Sequence, residues 1–266
     1  MSRYSLSRRQ FLTLPLALVI GPLADAAAEM EQRRAGYDAD IGILYNALSL
    51  ELVGTVDETV DRAAGRYQVT AIGQGARISN RIESRGIRRD GRWTPLQASG
   101  WFQVAGRESR SDVTYEWDRR VIDYHFRGET FLLRRLRVAD DRVSVPDGLH
   151  VDDVISAVLN YADGLWRPEP DGAFHTHVVR RRRPENEAPD EVQRYYRAEI
   201  VPFVLKVAPD PETGKPTAQF DLSRFSSWGR EGRPGRIVFG PNRRPEVVIA
   251  PMILGTSVTI RLKEPG

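Results

Sequence analysis

The chain has 266 residues, 41% hydrophobic and 9% aromatic, which is material for a real core and excludes a disordered protein. It contains no cysteine, which excludes a disulfide framework, a thiolate metal site and a lipid-modified N-terminal cysteine. A net charge of +3 from 39 Lys+Arg and 36 Asp+Glu lacks the large basic excess of a nucleic-acid binder.

The first nine residues carry Arg3, Arg8 and Arg9 and no acid, and an apolar run follows from Phe11 to Leu23, broken by Pro15 and Gly21-Pro22. A membrane span needs about 20 apolar residues to cross a ~30 Å hydrocarbon core, so this run is too short. Small residues come next, with an A-x-A cleavage site at Ala26 and Ala28. The pattern predicts a cleavable export signal over 1–28 and a periplasmic protein. Ser7-Arg8-Arg9-Gln10-Phe11-Leu12 is similar to a twin-arginine signal, with Thr13 where a lysine often stands. The alternative is a general secretory signal that happens to hold two arginines. No later segment reaches spanning length, so no transmembrane span is expected in the mature chain. Removing residues 1–28 leaves 238 and takes three arginines and one aspartate. Lys+Arg falls from 39 to 36 and Asp+Glu from 36 to 35, a net charge of +1.

Residues 29–38 are polar and predict a flexible lead-in to a single β-rich domain over 39–266. Period-two alternation then dominates. Val56 and Val60 alternate with Thr55, Asp57, Thr59 and Asp61, and after a turn Tyr67, Val69 and Ala71 alternate with Gln68 and Thr70. In SDVTYEWDRRVIDYHFRG, Val113, Tyr115 and Trp117 oppose Asp112, Thr114 and Glu116, and Ile122, Tyr124 and Phe126 oppose Asp123, His125 and Arg127. That is an antiparallel hairpin with one aromatic face buried and one polar face wet. Further strands are expected at 41–47, 93–104, 131–138, 173–179, 192–207, 217–222, 236–239, 246–249 and 256–262. Asp90-Gly91, Ala105-Gly106, 210–215 and Gly240-Pro241-Asn242 mark turns.

One segment has a different period. Val151, Val154, Ile155, Val158, Leu159 and Ala162 fall at helical spacing, with Asp152 and Asp153 at the start and Gly164 after the end. This predicts one amphipathic helix over about 151–163. Pro168–Gly172 and a charged loop at about 180–191 interrupt the pattern. Strands, then one helix, then strands, with no alternation of the two, predict a mainly β protein. The expected architecture is a strongly curved, open antiparallel sheet or incomplete β-barrel, with the helix covering a face or mouth.

With those elements placed, the chain resembles the uncharacterised exported bacterial family catalogued as domain of unknown function 3108. The resemblance rests on LYNALSLELVGTVDETVDRAAGRYQVTAIGQG, SRGIRRDGRWTPLQAS, YEWDRRVIDYHFRG, DDVISAVLNY and PEVVIAPMILGTSVTIRL, which follow in order across about 37–266. The tract from Arg180 to Glu191 and the segment RYYRAEIVPFVLKVAPDPETGKP depart from it. The resemblance implies an exported protein with a curved antiparallel sheet and no established activity.

No G-x-S-x-G, H-E-x-x-H, G-x-x-x-x-G-K-[ST] or dinucleotide fingerprint occurs. His175 and His177 share a strand face at chelating spacing, but His125 and His150 are distant in sequence, so no metal site is expected. Asp152-Asp153 beside Asp147 reads as a helix start or as a carboxylate cluster. Glu116 and Asp118 flank Trp117, and the strand-edge reading is the stronger. Gly73-Gln74-Gly75 reads as a bulge. Arg180–Arg183 reads as a solvated loop or as an anionic docking tract. Ten aromatics (Trp93, Trp101, Phe102, Tyr115, Trp117, Tyr124, Phe126, Tyr195, Tyr196 and Phe203) either fill a core or line a groove. No catalytic residue, cofactor or identified ligand site is expected. The leading expectation is a non-enzymatic periplasmic binding or envelope-maintenance protein, holding a hydrophobic or amphipathic envelope component or a protein partner. The alternatives are a carboxylate-dependent hydrolase or carbohydrate-active enzyme, and a structural adaptor using an exposed strand edge.

Overall fold

The structure is a computed structural model and describes residues 30–43, 48–130, 133–182, 184, 187–188, 190–224, 229, 232–252 and 256–263. The expected export signal, with Ser7, Arg8, Arg9, Phe11, Leu12, Ala26 and Ala28, lies outside the described residues.

The first half of the fold is a meander of long antiparallel strands: β1 (Met30–Ile43), β2 (Leu48–Asp61), β3 (Arg66–Gln74), β4 (Ile78–Arg89), β5 (Arg92–Val104), β6 (Arg107–Glu116), β7 (Val121–Glu129) and β8 (Leu136–Ser144). A two-residue strand β9 (Val151–Asp152) leads into helix α1 (Val154–Ala162). The second half holds β10 (Ala173–Arg181), β11 (Ala198–Pro209), β12 (Pro216–Phe220), β13 (Gly235–Phe239), β14 (Pro245–Pro251) and β15 (Ser257–Leu262). Among the described residues all fifteen strands form one sheet, ordered β8-β7-β6-β5-β4-β3-β2-β1-β15-β14-β13-β12-β11-β10-β9, in which only the β9–β10 pair is parallel. The mainly β, barrel-like expectation with one helix therefore holds.

The segment expected as a flexible lead-in is instead strand. Met30 to Ile43 pairs residue for residue with β2, and β1 continues into pairing with β15. Small and aromatic residues at period two, Ala35, Tyr37 and Ala39, carry it into the core despite its polar composition. Expected strand bounds shift elsewhere too. Of the strand expected at 131–138, residues 131–132 lie outside the described residues and β8 starts at Leu136, just after the Arg135 carbonyl accepts from Thr130 N–H at 2.8 Å. That expected at 192–207 begins at Ala198. The β4 strand, crowded with arginines, had no clear alternation to announce it.

Turn chemistry matches the sequence where it was strongest. Asp90 and Gly91 have φ of 50° and 79°, the mirror-image geometry that lets a two-residue loop join twisted strands. The expected bulge at Gly73–Gly75 is not observed; register shifts fall between Arg85 and Gly86 and between Val238 and Phe239. Gly73 serves a different purpose. Tyr37 lies across it, and a Cβ there would sit 2.3 Å from the Tyr37 hydroxyl. That hydroxyl donates to Asn80 Oδ1 at 2.9 Å, so one ring spans β1 to β4 along the concave face.

The sheet curls until its ends meet. Val113, Tyr115, Ile122 and Tyr124 from β6 and β7 pack with Val151, Tyr196 and Ile200 from the far end. The seam is not a ladder among the described residues: one parallel bridge joins Ala139 to Tyr196. Side chains complete it. Asp141 Oδ2 accepts from the Ala198 N–H at 2.8 Å, and Arg137 Nε donates to the Glu191 carbonyl at 2.9 Å. The bridge at Tyr196 and these side-chain bonds cover part of the β8 edge.

Helix α1 enters the mouth of this curl. Leu159 and Ile155 pack on Val60, Tyr67, Val69 and Trp93, while Ala157 and Tyr161 pack on Phe174, Phe203, Phe220 and Phe239. The helix is shorter than expected and rotated. Val151 belongs to β9, and Val154 is 61% exposed. Its buried side holds Ser156, Ala157, Leu159, Asn160 and Tyr161, polar residues included. The outer face of the sheet carries charges that pair along each strand, Arg81 with Glu83 and Arg110 with Asp112. Such exposed pairs add little stability.

Candidate functional site

The buried polar residues of α1 belong to a network that fixes the helix in the mouth. Asp153 is its N-cap: Oδ1 accepts from the Ser156 N–H at 2.6 Å, and Ser156 Oγ accepts from the Asp153 N–H at 3.0 Å. Asp153 Oδ2 accepts from Ser84 Oγ on β4 at 2.5 Å, and Ser84 lies 3.0 Å from the Tyr67 hydroxyl. Asp152, fully buried, accepts at Oδ1 from Ser156 Oγ (2.7 Å) and Asn160 Nδ2 (3.0 Å), and at Oδ2 from Thr176 Oγ1 (2.6 Å) and Arg92 Nη2 (2.9 Å). His150 Nε2 lies 3.1 Å from Oδ1.

The two neighbouring acids differ in their electrostatics. Burial alone would raise the Asp152 carboxyl, but His150, Arg92 and Thr176 outweigh it and hold the carboxyl below its usual range. Burial pushes the Asp153 carboxyl up to about 6, against hydrogen bonds from Ser156 and Ser84. Both acids act as structural anchors. Each carboxylate is occupied by fixed donors, and neither borders the cavities described below. Asp147, grouped with them in sequence, is exposed and pairs with Arg120 at 3.0 Å.

The other sequence candidates also resolve. His175 hydrogen bonds Asp171 at 2.9 Å, and burial lowers the His177 imidazole. Among the described residues no group of three potential ligands converges for a metal ion. Glu116 pairs with Arg119 across the turn and Asp118 is exposed. The solvated-loop reading of Arg180–Arg183 is overturned at Arg181. It is buried and forms two hydrogen bonds with buried Glu187, at 3.0 and 2.8 Å, over the ring of Tyr196 at 4.3 Å. The aromatics are mostly core. Trp93, Tyr115, Tyr124, Tyr196 and Phe203 are buried, whereas Phe102 and Tyr195 are 42% and 76% exposed.

A cleft with a volume of about 360 Å³ lies at the end of α1. Four chain segments form it. β1 supplies Glu31 and Arg33, the β2–β3 turn Arg62, the helix end Ala162 and Asp163, and the β13–β14 turn Asn242 and Arg244. Arg62 bridges Glu31 and Asp163, and Asp163 Oδ2 accepts from Trp93 Nε1 at 2.9 Å. Arg244 makes two hydrogen bonds to Glu58, at 2.9 and 2.7 Å. Burial raises the Glu58 carboxyl, and it outweighs the charges of Arg244 and Arg33. Arg33 stands opposite Glu58 in the β1–β2 register, and among the described residues no hydrogen bond or ion pair closes on its guanidinium. A second cleft, about 230 Å³, lies by the β3–β4 and β5–β6 turns and is lined largely by small and polar residues.

No family model matches the chain, and no curated protein matches it. Among solved structures it is similar to a β-barrel-like protein of domain of unknown function 1849 from Brucella abortus. That match has 12% identity and a TM-score of 0.40, covering 90% of this chain and 98% of that one.

Sequence reasoning missed the residues that define the cleft. Arg33, Arg62 and Arg244 are far apart in the chain and have no common spacing. Asn160 did leave a signal, as an amide four residues beyond Ser156 on the same side of a short helix. Among the described residues no helix is long and apolar enough to cross a membrane.

Proposed function

We propose that this chain is an exported, non-enzymatic binding protein of the cell envelope, which engages an envelope component or protein partner at the helix-covered mouth of its sheet. The observation that carries this reading is the cleft of about 360 Å³, where four segments converge and the Arg33 guanidinium makes no hydrogen bond or close ion pair among the described residues. That volume lies within the range of small-molecule sites. The packing supports the mouth over the interior, because aromatic clusters fill the concave face. The interior carboxylates Asp152 and Asp153 support binding over hydrolysis, because fixed donors already occupy them.

Export to the periplasm and membership of domain of unknown function 3108 are part of the proposal. They rest on the sequence: the twin-arginine pattern at Ser7–Leu12 and the order of the family-like motifs. The test is purification of the native protein from a periplasmic fraction, with mass spectrometry of whatever leaves it on denaturation. A reproducible companion molecule or protein is expected. A mature chain that comes off empty and partnerless, or one found only in the cytosol, removes the reading.

A further inference from the structure

We propose that the mouth cleft is an oxyanion site, in which Arg33 receives a phosphate or carboxylate group; this rests on the binding reading above and names its ligand class. Three guanidiniums face three carboxylates there, Glu31, Asp163 and Glu58. Net charge therefore does not select the ligand. The unused donors do. Arg62 gives one terminal nitrogen to Glu31 and the other to Asp163, and Arg244 gives both of its own to Glu58. Each acid of the cleft is thereby engaged. The charge of Arg33 acts on Glu58 across the ladder, but its guanidinium nitrogens make no hydrogen bond among the described residues, which leaves a planar fork of the geometry that grips a carboxylate or phosphate with two parallel hydrogen bonds. Asn242 Oδ1 accepts from the Arg244 N–H at 3.0 Å, which fixes the side chain and leaves its amide nitrogen as a further donor.

The C-terminal end of a helix ordinarily repels an anion. Here three of the last four carbonyls have donors. Leu159 O accepts from Asp163 N–H, Asn160 O from the Leu165 and Trp166 N–H groups, and Tyr161 O from Gly164 N–H. The arginines of the cleft are thus not needed to satisfy them. Arg243 adds a positive charge close by, its guanidinium 4.2 Å from the ring centre of Tyr161.

The oxyanion could come from a small solute or from a lipid head group, and two arms separate these sources. The mature protein is titrated with inorganic phosphate and with glycerol 3-phosphate by calorimetry and by amide chemical shifts. It is also floated with vesicles of phosphatidylglycerol or of phosphatidylcholine. Saturable binding is expected in one arm, with shifts centred on Arg62, Asp163 and Asn242. Arg33→Gln and Asn242→Ala should each weaken it, Arg33→Gln at least tenfold. Arg110→Gln, which removes the same charge from the outer face, should leave it unchanged. Binding to free anions assigns a solute; binding only to phosphatidylglycerol vesicles assigns a head group. No saturable binding in either arm, or equal losses in Arg33→Gln and Arg110→Gln, overturns the oxyanion site. If Arg33→Gln still carries its native companion from the periplasm, the oxyanion site falls while the binding reading stands.

Discussion

Phe220 stands directly across the β12–β13 ladder from Gly235, and its ring fills the space a side chain there would need. A Cβ on Gly235 would sit 2.5 Å from the ring tip, and its three nearest atoms all belong to Phe220. Missing Cβ atoms under aromatic rings let the sheet bend tightly enough to fold its ends together. Gly235→Ala is expected to destabilise by about 1–3 kcal/mol through overpacking. In a Phe220→Leu background the same change should cost less. Urea denaturation of the four proteins of this cycle measures the coupling, and strictly additive effects would refute the contact.

The tie between helix and sheet at Asn160 makes a second prediction. Its Oδ1 accepts from the Trp93 N–H at 2.7 Å and its Nδ2 donates to the Trp93 carbonyl at 2.8 Å, so one side chain completes a stretch of β5 as a strand would. Trp93 is fully buried, so no water replaces these bonds. Asn160→Ala should cost about 2–6 kcal/mol, from two buried backbone groups left unsatisfied at roughly 1–3 kcal/mol each. Hydrogen exchange at the Trp93 amide should accelerate far more than exchange in β6 or β7.

How far the sequence reveals this fold follows from where its information lies. Alternation in β6 and β7 is a local pattern with a buried face, and Val113, Tyr115, Ile122 and Tyr124 are buried as that pattern requires. β1 hid behind polar composition, because Ala35 and Ala39 are small and only Tyr37 advertises the buried face. The helix existed where its periodicity placed it, but its orientation was set by a polar network. Asp152 is driven inward by Arg92 on β5 and Thr176 on β10, and Asn160 by the Trp93 backbone on β5, partners that no local pattern links to them. The cleft is the extreme case. Arg33, Arg62 and Arg244 meet only because the sheet curls, and curling is a property of the whole strand order.

Arg181 and Glu187 give a third prediction, because removing one member of a buried ion pair differs from removing both. Their side chains are 7% and 2% exposed. Glu187→Gln strands a buried guanidinium and should cost about 3–5 kcal/mol. Arg181→Met combined with Glu187→Leu should recover part of that loss, since the Arg181 charge goes with its partner, while Arg137 and the Tyr196 hydroxyl still lose their contacts with Glu187. Thermal denaturation ranks the two variants. A double variant no more stable than the single one would mean that the seam depends on the charges themselves.

The last prediction concerns pH, and it separates the two adjacent acids. The Asp153 carboxyl titrates near 6 in the folded chain, above its ordinary value of 3.8. The folded state therefore binds this proton more tightly than the unfolded state. The resulting stability is fully present below about pH 4 and is lost as the pH rises through 6, by about 3 kcal/mol for a shift of two units. Asp152, held low, works in the opposite sense, and only as the pH falls below its ordinary range. In the window from pH 4 to 6 Asp153 acts with Glu58, which adds a change of the same sign, and against His177, whose lowered imidazole makes stability rise as the pH approaches its ordinary 6.5. Asp153→Asn retains a strong helix cap and removes the titration. Denaturant unfolding at pH 4.5, 5.5 and 7 should show stability falling with pH in the parent chain and a flatter profile in the variant. Equal slopes in the two would mean that Ser84 and Ser156 stabilise the charged carboxylate as well as water does, and that its burial carries no penalty.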